Sequence, residues 1–595
     1  MNRVEEGPEE NAGIEREQRC EPMTYTNVPI GRQEVGKRCD EKEPATCTVT
    51  TSPTVPANPN RAEARLMRLG FALWLCLALG PHASAQQTGE FEWLLQFGLP
   101  GNDLAWDVHA DGDGNVYVAG DASGALPGQA FSGGAWDAFV RKYDAAGNEL
   151  WTRQFGTAGG DSAFAVWAIG ADVYVGGRTT GVFPGQISAG GFDAFLRKYD
   201  ANGNEQWTRQ FGTPGADELV GIFVDAAGVY VSGDVGGGLP GQIFSGVADA
   251  FVRAYDPNGN ALWTHQFGTA LRDTGFRISG DDSGIYVVGS AGPLPGQTFA
   301  GVVDAFVRKY DLNGNELWTR QFGTAAVDLA IGVTTGATGV YVVGRTDGAL
   351  PGQTHEGGAD AFVRKFDTDG DELWTRQFGT PSFDLARGVS VRDSVVYVSG
   401  VVRGAGPGFP GGQVGADVFV GAYTAQGKNL WTREFGSALA DDNWGISAAS
   451  SGLYVIGSAT GTLPGLQSQG AIDAFVGKLM QEIVVEIDIK PGDDLNSINL
   501  NSGVVPVAIL SSDTFDATTV DPTTVVLEGA AVRLKGRGAL MASVEDVNGD
   551  GLHDLVLHFE TKVLELTSID VIAELTGRTL GGHVVFGFDS VRIVP

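Results

Sequence analysis

The sequence predicts an all-β fold, and three observations lead to that prediction. The phrase Trp-x-x-Gln-Phe-Gly, or a close variant, recurs seven times at intervals of 55 to 58 residues. Each complete unit contains four short runs rich in β-branched and aromatic residues, and no segment shows sustained helical periodicity. Four antiparallel strands repeated seven times predict a seven-bladed β-propeller, because each blade then buries both faces against its neighbours without any helix. A smaller β-sandwich-like domain is expected to follow.

The unit at residues 323–379 shows the order of the predicted strands. Its four runs lie at residues 328–334, 340–346, 360–367 and 372–379. The last two are joined by Asp-Gly-Asp here and by Asn-Gly-Asn in other units. Both sequences indicate a tight hairpin, because these residue types tolerate positive φ. We assign residues 91–480 to the propeller.

The two ends of the repeat predict how the ring closes. The first copy begins with the fourth-strand phrase at residues 93–98, whereas the last copy stops after the third-strand phrase at residues 473–479. The isolated first strand can therefore complete the last blade. We expect a closed ring in which this N-terminal strand is the outer strand of the seventh blade.

Three recurring phrases also carry a resemblance to a known family. DAFVRKYD, DxNGNELW and YVVGxT resemble the repeats of the bacterial seven-bladed β-propeller proteins often called SBBP-repeat proteins. The resemblance covers about residues 91 to 479. It implies an exported bacterial protein and no assigned reaction.

The region before the propeller predicts export. Residues 1–66 form a polar extension that is either disordered or upstream of the true start, and residues 67–85 are predicted to be a signal peptide. The apolar run at residues 69–80 is too short to span a bilayer, and Ala83 and Ala85 give the small-x-small pattern of a cleavage site. The alternatives are a disordered cytoplasmic extension and an anchor. We expect a mature N-terminus near Gln86 and a location that is extracellular or at the cell surface.

Charge and cysteine content limit the partners and the chemistry. The net charge is −32, which makes nucleic acids and anionic membranes poor partners. We expect no membrane insertion after signal cleavage, a monomer, and an extracellular ligand that is a glycan or a protein. The four cysteines all lie in the N-terminal region: Cys20, Cys39, Cys47 and Cys76. The folded part therefore has neither a disulfide nor a thiol nucleophile.

Two aspartates of each unit are candidate surface residues. One lies five residues after the glycine of the Gln-Phe-Gly phrase, and the other opens the Asp-Ala-Phe phrase. They are Asp103, Asp161, Asp217, Asp273, Asp328, Asp384 and Asp441, and Asp137, Asp193, Asp249, Asp304, Asp360, Asp417 and Asp473. Both sets are expected on the face that carries the Leu-Pro-Gly-Gln loops. They form either an acidic surface for cations or polycations, or blade corners held by hydrogen bonds, which we favour because every blade shares them.

Other recurring residues are predicted to be structural. Arg141 and its equivalents are expected to stack or pair within blades, and Trp151 and its equivalents to be blade core rather than a sugar-stacking platform. No residue is assigned as catalytic or cofactor-binding, because the chain lacks the common nucleophile, zinc and phosphate-loop motifs. The near identity of the units argues against a catalytic channel, and the most divergent stretch, residues 401–413, contributes glycine and proline.

The C-terminal domain, residues 482–595, carries the sharpest site prediction. It resembles a module of exported bacterial proteins, from which no function follows. A calcium loop is predicted from five ligands that fall at positions 1, 3, 5, 7 and 9 of an EF-hand-type loop: Asp546, Asn548, Asp550, the Leu552 carbonyl and Asp554. Gly551 supplies the sharp turn, but Leu557 replaces the usual bidentate glutamate, and Glu560 is a weak substitute. The alternative is a solvated turn.

Three functions are compatible with these observations. We favour a secreted or cell-surface binding and scaffold protein that uses the acidic loop face of the propeller and has a Ca²⁺-stabilised C-terminal domain. One alternative is a propeller-type extracellular hydrolase or lyase acting on polysaccharide. The other is a structural component of the envelope or matrix.

Overall fold

A computed structural model describes residues 91–392, 394–404, 416–480, 483–493, 495–501, 503–513, 515–567, 571–581 and 583–594. The predicted N-terminal extension, the signal peptide, all four cysteines and most of the divergent stretch lie outside the described residues. The described residues form strands and two 3₁₀ turns, without an α-helix. Accordingly, this part of the chain contains no helix that is long and apolar enough to cross a membrane. The predicted all-β fold is confirmed.

The propeller has seven four-stranded antiparallel blades, as predicted. Blade 1 consists of β2 (Asp103–Ala110), β3 (Val116–Ala122), β4 (Asp137–Tyr143) and β5 (Glu149–Phe155). Blade 2 consists of β6 (Asp161–Ile169), β7 (Asp172–Thr179), β8 (Asp193–Asp200) and β9 (Glu205–Phe211). Blade 3 consists of β10 (Asp217–Val224), β11 (Val229–Val235), β12 (Asp249–Tyr255) and β13 (Ala261–Phe267). Blades 4 and 5 consist of β14 (Thr274–Asp281), β15 (Gly284–Ala291), β16 (Asp304–Tyr310) and β17 (Glu316–Phe322); and β18 (Asp328–Gly336), β19 (Gly339–Thr346), β20 (Asp360–Phe366) and β21 (Glu372–Phe378). Blades 6 and 7 consist of β22 (Leu385–Arg392), β23 (Val395–Val402), β24 (Asp417–Thr424) and β25 (Asn429–Phe435); and β26 (Asp441–Ala449), β27 (Gly452–Ala459), β28 (Asp473–Leu479) and β1 (Phe91–Phe97).

The ring closes as the sequence predicts. β1 pairs antiparallel with β28, so the N-terminal strand is the outer strand of blade 7. The Gln96 side chain fixes this strand, because its Nε2 donates to Asp473 Oδ2 at 3.0 Å and to the Gly461 carbonyl at 2.9 Å. Strands near both ends of the propeller therefore share one sheet.

Strand register gives the disc two distinct faces. In blade 1, Asp103 pairs with Ala122, Ala122 pairs with Asp137, and Ala138 pairs with Phe155. The start of the first strand, the loop between the second and third strands and the end of the fourth strand therefore lie at one end of the blade. We call this end of all blades the loop face, and the opposite end the hairpin face.

Burial explains why the third strands are apolar on both sides. All seven residues of β4, β16 and β20 are buried. Their alternating side chains pack into two different clusters, one on each side of the blade. In β4, Phe139 packs in a cluster with Val476 of blade 7, whereas Val140 packs in a cluster with Val166 of blade 2. A strand that contacts a neighbouring blade on each face has no solvated side, so it loses the polar alternation of an ordinary antiparallel strand.

The C-terminal domain is one curled sheet, whereas we expected a sandwich-like arrangement. Its strands are β29 (Ile483–Ile489), β30 (Ser497–Asn499), β31 (Val504–Ile509), β32 (Val520–Leu527), β33 (Ala530–Ala531), β34 (Ala542–Glu545), β35 (Asp554–Glu560), β36 (Ile572–Thr579), β37 (Val584–Ser590) and β38 (Arg592–Val594), with 3₁₀ turns at Ala517–Thr519 and Thr561–Val563. Eight strands form one sheet in the order β33-β32-β36-β37-β29-β31-β35-β34, and β30 pairs with β38. The Val532–Phe559 bridge brings the two sides of this sheet together. Curling encloses a single core, so no second sheet is needed to cover it.

Candidate functional site

The fourteen repeated aspartates are buried blade corners. Asp217 accepts hydrogen bonds from the Thr213 and Gly236 amides at 2.5 and 3.1 Å, and Asp193 accepts one from Gln210 Nε2 at 2.7 Å. All fourteen aspartates of the two sets are buried. The structural interpretation is therefore supported, and these residues do not furnish an acidic surface on the loop face.

The two aspartates at each blade junction meet across the glycine of the Gln-Phe-Gly phrase. A Cβ on Gly212 would lie 2.5 Å from Asp193 Oδ1 and 2.6 Å from Asp217 Oδ2. Equivalent contacts occur at Gly98, Gly156, Gly268, Gly323, Gly379 and Gly436. Burial, together with the like charge of Asp193, raises the pKa of Asp217 to about 6. The glycine is therefore required by two carboxylates that approach it closely.

Replacement of Gly212 by alanine is expected to lower the free energy of unfolding by about 2 kcal/mol, because the new Cβ overlaps two carboxylate oxygens that are fixed by hydrogen bonds. Urea denaturation measures the effect. Gly112→Ala is the matched control, since a Cβ there meets nothing within 4 Å. Equal destabilisation of both variants would contradict this account of the junction.

The seven innermost strands share a β-bulge that the sequence did not reveal. In each of them the pairing register skips the third residue after the repeated aspartate. The skipped residues, which we call the bulge ring, are Trp106, Phe164, Val220, Phe276, Ile331, Arg387 and Trp444. Trp106 contacts Phe164 and Trp444, with ring centroids at 5.4 and 4.2 Å. A bulge re-aims a side chain, so the repeated backbone here presents non-repeated residues around the channel.

One guanidinium group crosses the central channel. Arg277 Nη1 donates to the carbonyls of Phe164 and Val220 at 3.1 and 2.8 Å, and Nη2 donates to the carbonyl of Trp106 at 3.2 Å. Nη1 also lies 3.5 Å from Asp107 Oδ2. These contacts join blade 4 to the bulge carbonyls of blades 1, 2 and 3. Arg277 therefore ties four inner strands together.

A polar network surrounds the loop-face mouth of the channel on blades 1 to 4. Its hydrogen-bonded pairs are Trp106 with Asp121, Arg178 with Glu218, and Arg272 with Asp234. Burial raises the pKa of Asp121 to about 6. Burial and the neighbouring Glu218 carboxylate raise the pKa of Asp234 to about 7. The mouth therefore holds carboxyl groups that exchange protons near neutral pH.

We expect the protein to lose stability as the pH rises from 5 to 8. Burial raises the folded-state pKa to about 6 in Asp121 and Asp217 and to about 7 in Asp234 and Asp441, against an ordinary value of 3.8. A carboxyl with a raised folded pKa stabilises the fold while protonated, and this contribution is lost as the pH passes the folded pKa. Burial lowers the pKa of His109 to about 4, so this group alone makes the protein more stable as the pH rises. The four carboxyl groups outweigh this single histidine.

Thermal unfolding of residues 86–595 in buffers of equal ionic strength measures this dependence. We expect the Tm to fall by roughly 5 °C or more between pH 5 and pH 8. Asp441→Asn removes one of the four groups and should flatten the profile. A Tm that is constant or rises over this range would contradict the assignment.

A cavity of about 220 Å³ occupies the central channel. All seven inner strands line it, and Asp107, Arg277 and Trp444 lie at the level of the bulges. Farther toward the hairpin face the lining is different on the two sides. His109 and Trp167 come from blades 1 and 2, and Ser279, Thr334, Ser390 and Ser447 come from blades 4 to 7. The cavity is thus asymmetric although the blades are nearly identical.

The predicted calcium loop is a compact turn. Asp546 accepts hydrogen bonds from the Gly549 and Gly551 amides at 2.8 and 3.1 Å, and the two glycines have φ of 78° and 88°. Asp546, Asn548 and Asp550 are exposed.

Asp554, the fifth predicted ligand residue of the loop, is buried beneath it. It accepts from the Ser511 and Val547 amides at 2.8 and 2.9 Å. Within the described ranges, no three His, Cys, Asp or Glu side chains converge as a formed metal site. Calcium binding to this loop stays a prediction.

The remaining predicted residues lie at blade junctions. Arg141 donates to Thr152 Oγ1 at 2.8 Å within its blade and stacks 4.3 Å from the Phe97 ring of blade 7. Trp151 is half-buried and donates to the Ala201 carbonyl of the next blade at 3.0 Å. The predicted pairing of the arginines is confirmed. The seven repeated tryptophans are partly buried against the core clusters, as predicted, and Trp151 also bonds to the next blade.

The chain is thus a seven-bladed β-propeller protein with non-repeated residues concentrated along its channel. No protein-family model matches it. The regulatory protein FlaEY of Caulobacter vibrioides is 28% identical over 309 residues, covering 45% of this chain. The chain spans about a third of the length of that protein, since the match covers 32% of it.

Several solved structures are distantly similar. A phage phi92 endosialidase has a TM-score of 0.34 at 10% identity, covering 83% of this chain and 78% of that chain. A subtype N10 neuraminidase-like protein of A/little yellow-shouldered bat has a TM-score of 0.30 at 10% identity, covering 66% and 98%. A family 43 arabinoxylan arabinofuranohydrolase from Bacillus subtilis has a TM-score of 0.24 at 12% identity, covering 84% and 96%. At such distances these likenesses carry no argument about activity.

Proposed function

We propose that this chain is a secreted or cell-surface binding and scaffold protein whose loop face holds an extracellular glycan or protein. The repeated aspartates are buried, so the contact surface must be made by other residues of that face. The proposal therefore moves the binding surface from the acids of the repeat to the non-repeated loops around the channel mouth. Calcium is proposed to stabilise the C-terminal domain and to take no direct part in this contact.

Exposed apolar side chains on three adjacent blades carry the proposal. In the loops between second and third strands, Val182 and Ile187 of blade 2 are 51% and 84% exposed, Ile243 and Val247 of blade 3 are 82% and 65% exposed, and Val302 of blade 4 is 58% exposed. Large apolar side chains clustered on one surface of a soluble protein are typical of an interaction site. The polar network of blades 1 to 4 lies beside the same loops, so this surface has an apolar part next to charged groups at the channel mouth.

Binding of residues 86–595 to glycan and peptide arrays tests the proposal. An Ile187→Asp and Ile243→Asp double variant should weaken the strongest interaction at least about tenfold, because two apolar contacts are replaced by charges. Leu317→Asp is the control, since Leu317 is 51% exposed but lies on the outer strand of blade 4. Equal binding by the double variant, or equal loss in the control, would refute a role for the loop face.

Millimolar calcium is expected to raise the melting temperature of the C-terminal domain in residues 86–595. Asp546 and Asp550 carry like charges in one exposed turn, and a divalent ion bound there offsets their repulsion and stabilises the fold by mass action. Calorimetry in calcium and in chelator measures the shift. Asp550→Ala should abolish it, whereas Asp521→Ala, in β32 rather than in the loop, should preserve it. Identical melting in both buffers would rule out the site.

The pKa values of Asp121 and Asp234 favour a second candidate, an extracellular hydrolase or lyase acting on polysaccharide. Carboxyl groups that titrate near neutral pH at the mouth of a channel are suited to acid–base catalysis. Release of reducing ends and of unsaturated products from a polysaccharide panel tests this. Asp234→Asn should abolish any activity, and Asp371→Asn, at an 80% exposed side chain, should not change it.

A further inference from the structure

The cavity in the central channel takes no part in the proposed function. We propose that it holds one small neutral polyhydroxylated molecule of about the size of a monosaccharide. The cavity volume of about 220 Å³ has room for a single six-membered ring with its hydroxyl groups. The hydroxyl groups and aromatic rings that line the cavity, and the Asp107–Arg277 pair at the level of the bulges, also favour a neutral polyhydroxylated ligand.

One wall supplies hydroxyl groups. Ser390 Oγ accepts a hydrogen bond from the Ala448 amide and Ser447 Oγ accepts one from the Ala110 amide, both at 3.0 Å. Each serine thereby caps an inner-strand amide of the next blade with its oxygen. The hydroxyl hydrogens are left to donate, and donors in a buried environment need an acceptor. With Ser279 and Thr334 they form an arc on four consecutive blades.

The opposite wall is aromatic. His109 and Trp167 are in contact, with ring centroids 4.3 Å apart. Burial lowers the pKa of His109 to about 4, so the imidazole is neutral at physiological pH. The apolar body of such rings packs against the C–H face of a sugar ring. A molecule with hydroxyl groups on one edge and an apolar face on the other matches both walls.

The level of the bulges selects against ions. Asp107 and Arg277 lie together there, with 3.5 Å between the carboxylate and the guanidinium group. An anion would meet the carboxylate and a cation would meet the guanidinium, whereas a neutral hydroxyl can donate to one and accept from the other. Two N–H groups of Arg277, Nε–H and one on Nη2, make no hydrogen bond to the described residues. They are available as donors.

Titration of residues 86–595 with glucose, galactose and myo-inositol tests the proposal, with acetate and methylammonium as charged comparators. Calorimetry and saturation-transfer NMR should detect at least one of the three polyols, with weaker or no binding of the ions. A Ser390→Ala and Ser447→Ala double variant should weaken that binding about tenfold, since two hydrogen bonds are lost. Ser245→Ala, at an exposed loop-face serine, should leave it unchanged.

Thr334→Val keeps the shape of the arc and removes one hydroxyl, so it tests the site even if the double variant fails to fold. Absence of polyol binding, tighter binding of either ion, or indifference to both channel variants would overturn the proposal. The loop-face double variant at Ile187 and Ile243 should bind the polyol normally. Failure of the channel site and failure of the loop-face function are therefore separate outcomes.

Discussion

Replacement of Arg277 by methionine is expected to lower the free energy of unfolding by about 3 to 5 kcal/mol, the cost of removing one partner of a largely buried ion pair. Three hydrogen bonds to bulge carbonyls are lost with the guanidinium group. Asp107, whose pKa burial already raises, is left without its counter-charge. Blades 1 to 4 then lose their common tie across the channel. Urea denaturation of residues 86–595 measures the change.

Two further variants test whether the loss of stability comes from the Arg277–Asp107 pair rather than from the loss of an arginine in general. Arg537→Met alters an exposed arginine of the C-terminal domain and should leave the stability unchanged. Asp107→Asn in the Arg277→Met background should recover part of the loss, because a neutral amide is cheaper to bury than an unpaired carboxylate. If the second substitution adds to the damage of the first, the pair is not the source of the effect.

The repeat made the blades predictable, but the residues that line the channel do not repeat and were not predicted. Four strands per unit, hairpin residues and a displaced first strand are local signals, and each recurs often enough to be unambiguous. Arg277 occurs once, at a position where four of the six other blades have glycine: Gly221, Gly332, Gly388 and Gly445. Within one unit, a single substitution of this kind cannot be distinguished from the other differences between the repeats. Alignment of all seven units on the repeated aspartate would have shown that variation concentrates on the innermost strand.

The C-terminal domain shows a different limit of prediction. Most of its strands were expected from composition, but their order was not. β29 pairs in parallel with β37, about 100 residues later in the chain, and antiparallel with β31. Pairing at such separation depends on which edges remain available after the rest of the sheet forms, and local periodicity does not encode this. Pro522 lies inside β32, where the register to β36 shifts, and because proline disfavours a strand interior, propensity does not predict the first residues of that strand.

Removal of β1 is expected to have the largest effect of any change in the propeller. The strand supplies all the hydrogen bonds to one edge of β28, and Trp93 and Phe97 pack against Tyr143 and Phe139 of blade 1. Without it, β28 becomes an exposed edge whose residues are all buried in the intact blade. The contact between blades 7 and 1 is then lost. A ring that is open at this junction exposes strand edges that a closed ring covers.

A matched pair of truncations measures this effect. Residues 91–595 keep β1 and residues 98–595 lack it, so the two proteins differ by one strand and by no other part of the described fold. We expect the shorter protein to melt at least about 10 °C lower, or to aggregate through its open edge. A synthetic peptide of residues 89–99 should restore the melting temperature in a concentration-dependent manner, because it replaces the missing strand. The same peptide with Gln96→Ala should act less well, since the bonds to Asp473 and Gly461 are absent. Equal melting of the two truncations would show that closure by β1 contributes nothing to the stability of the ring.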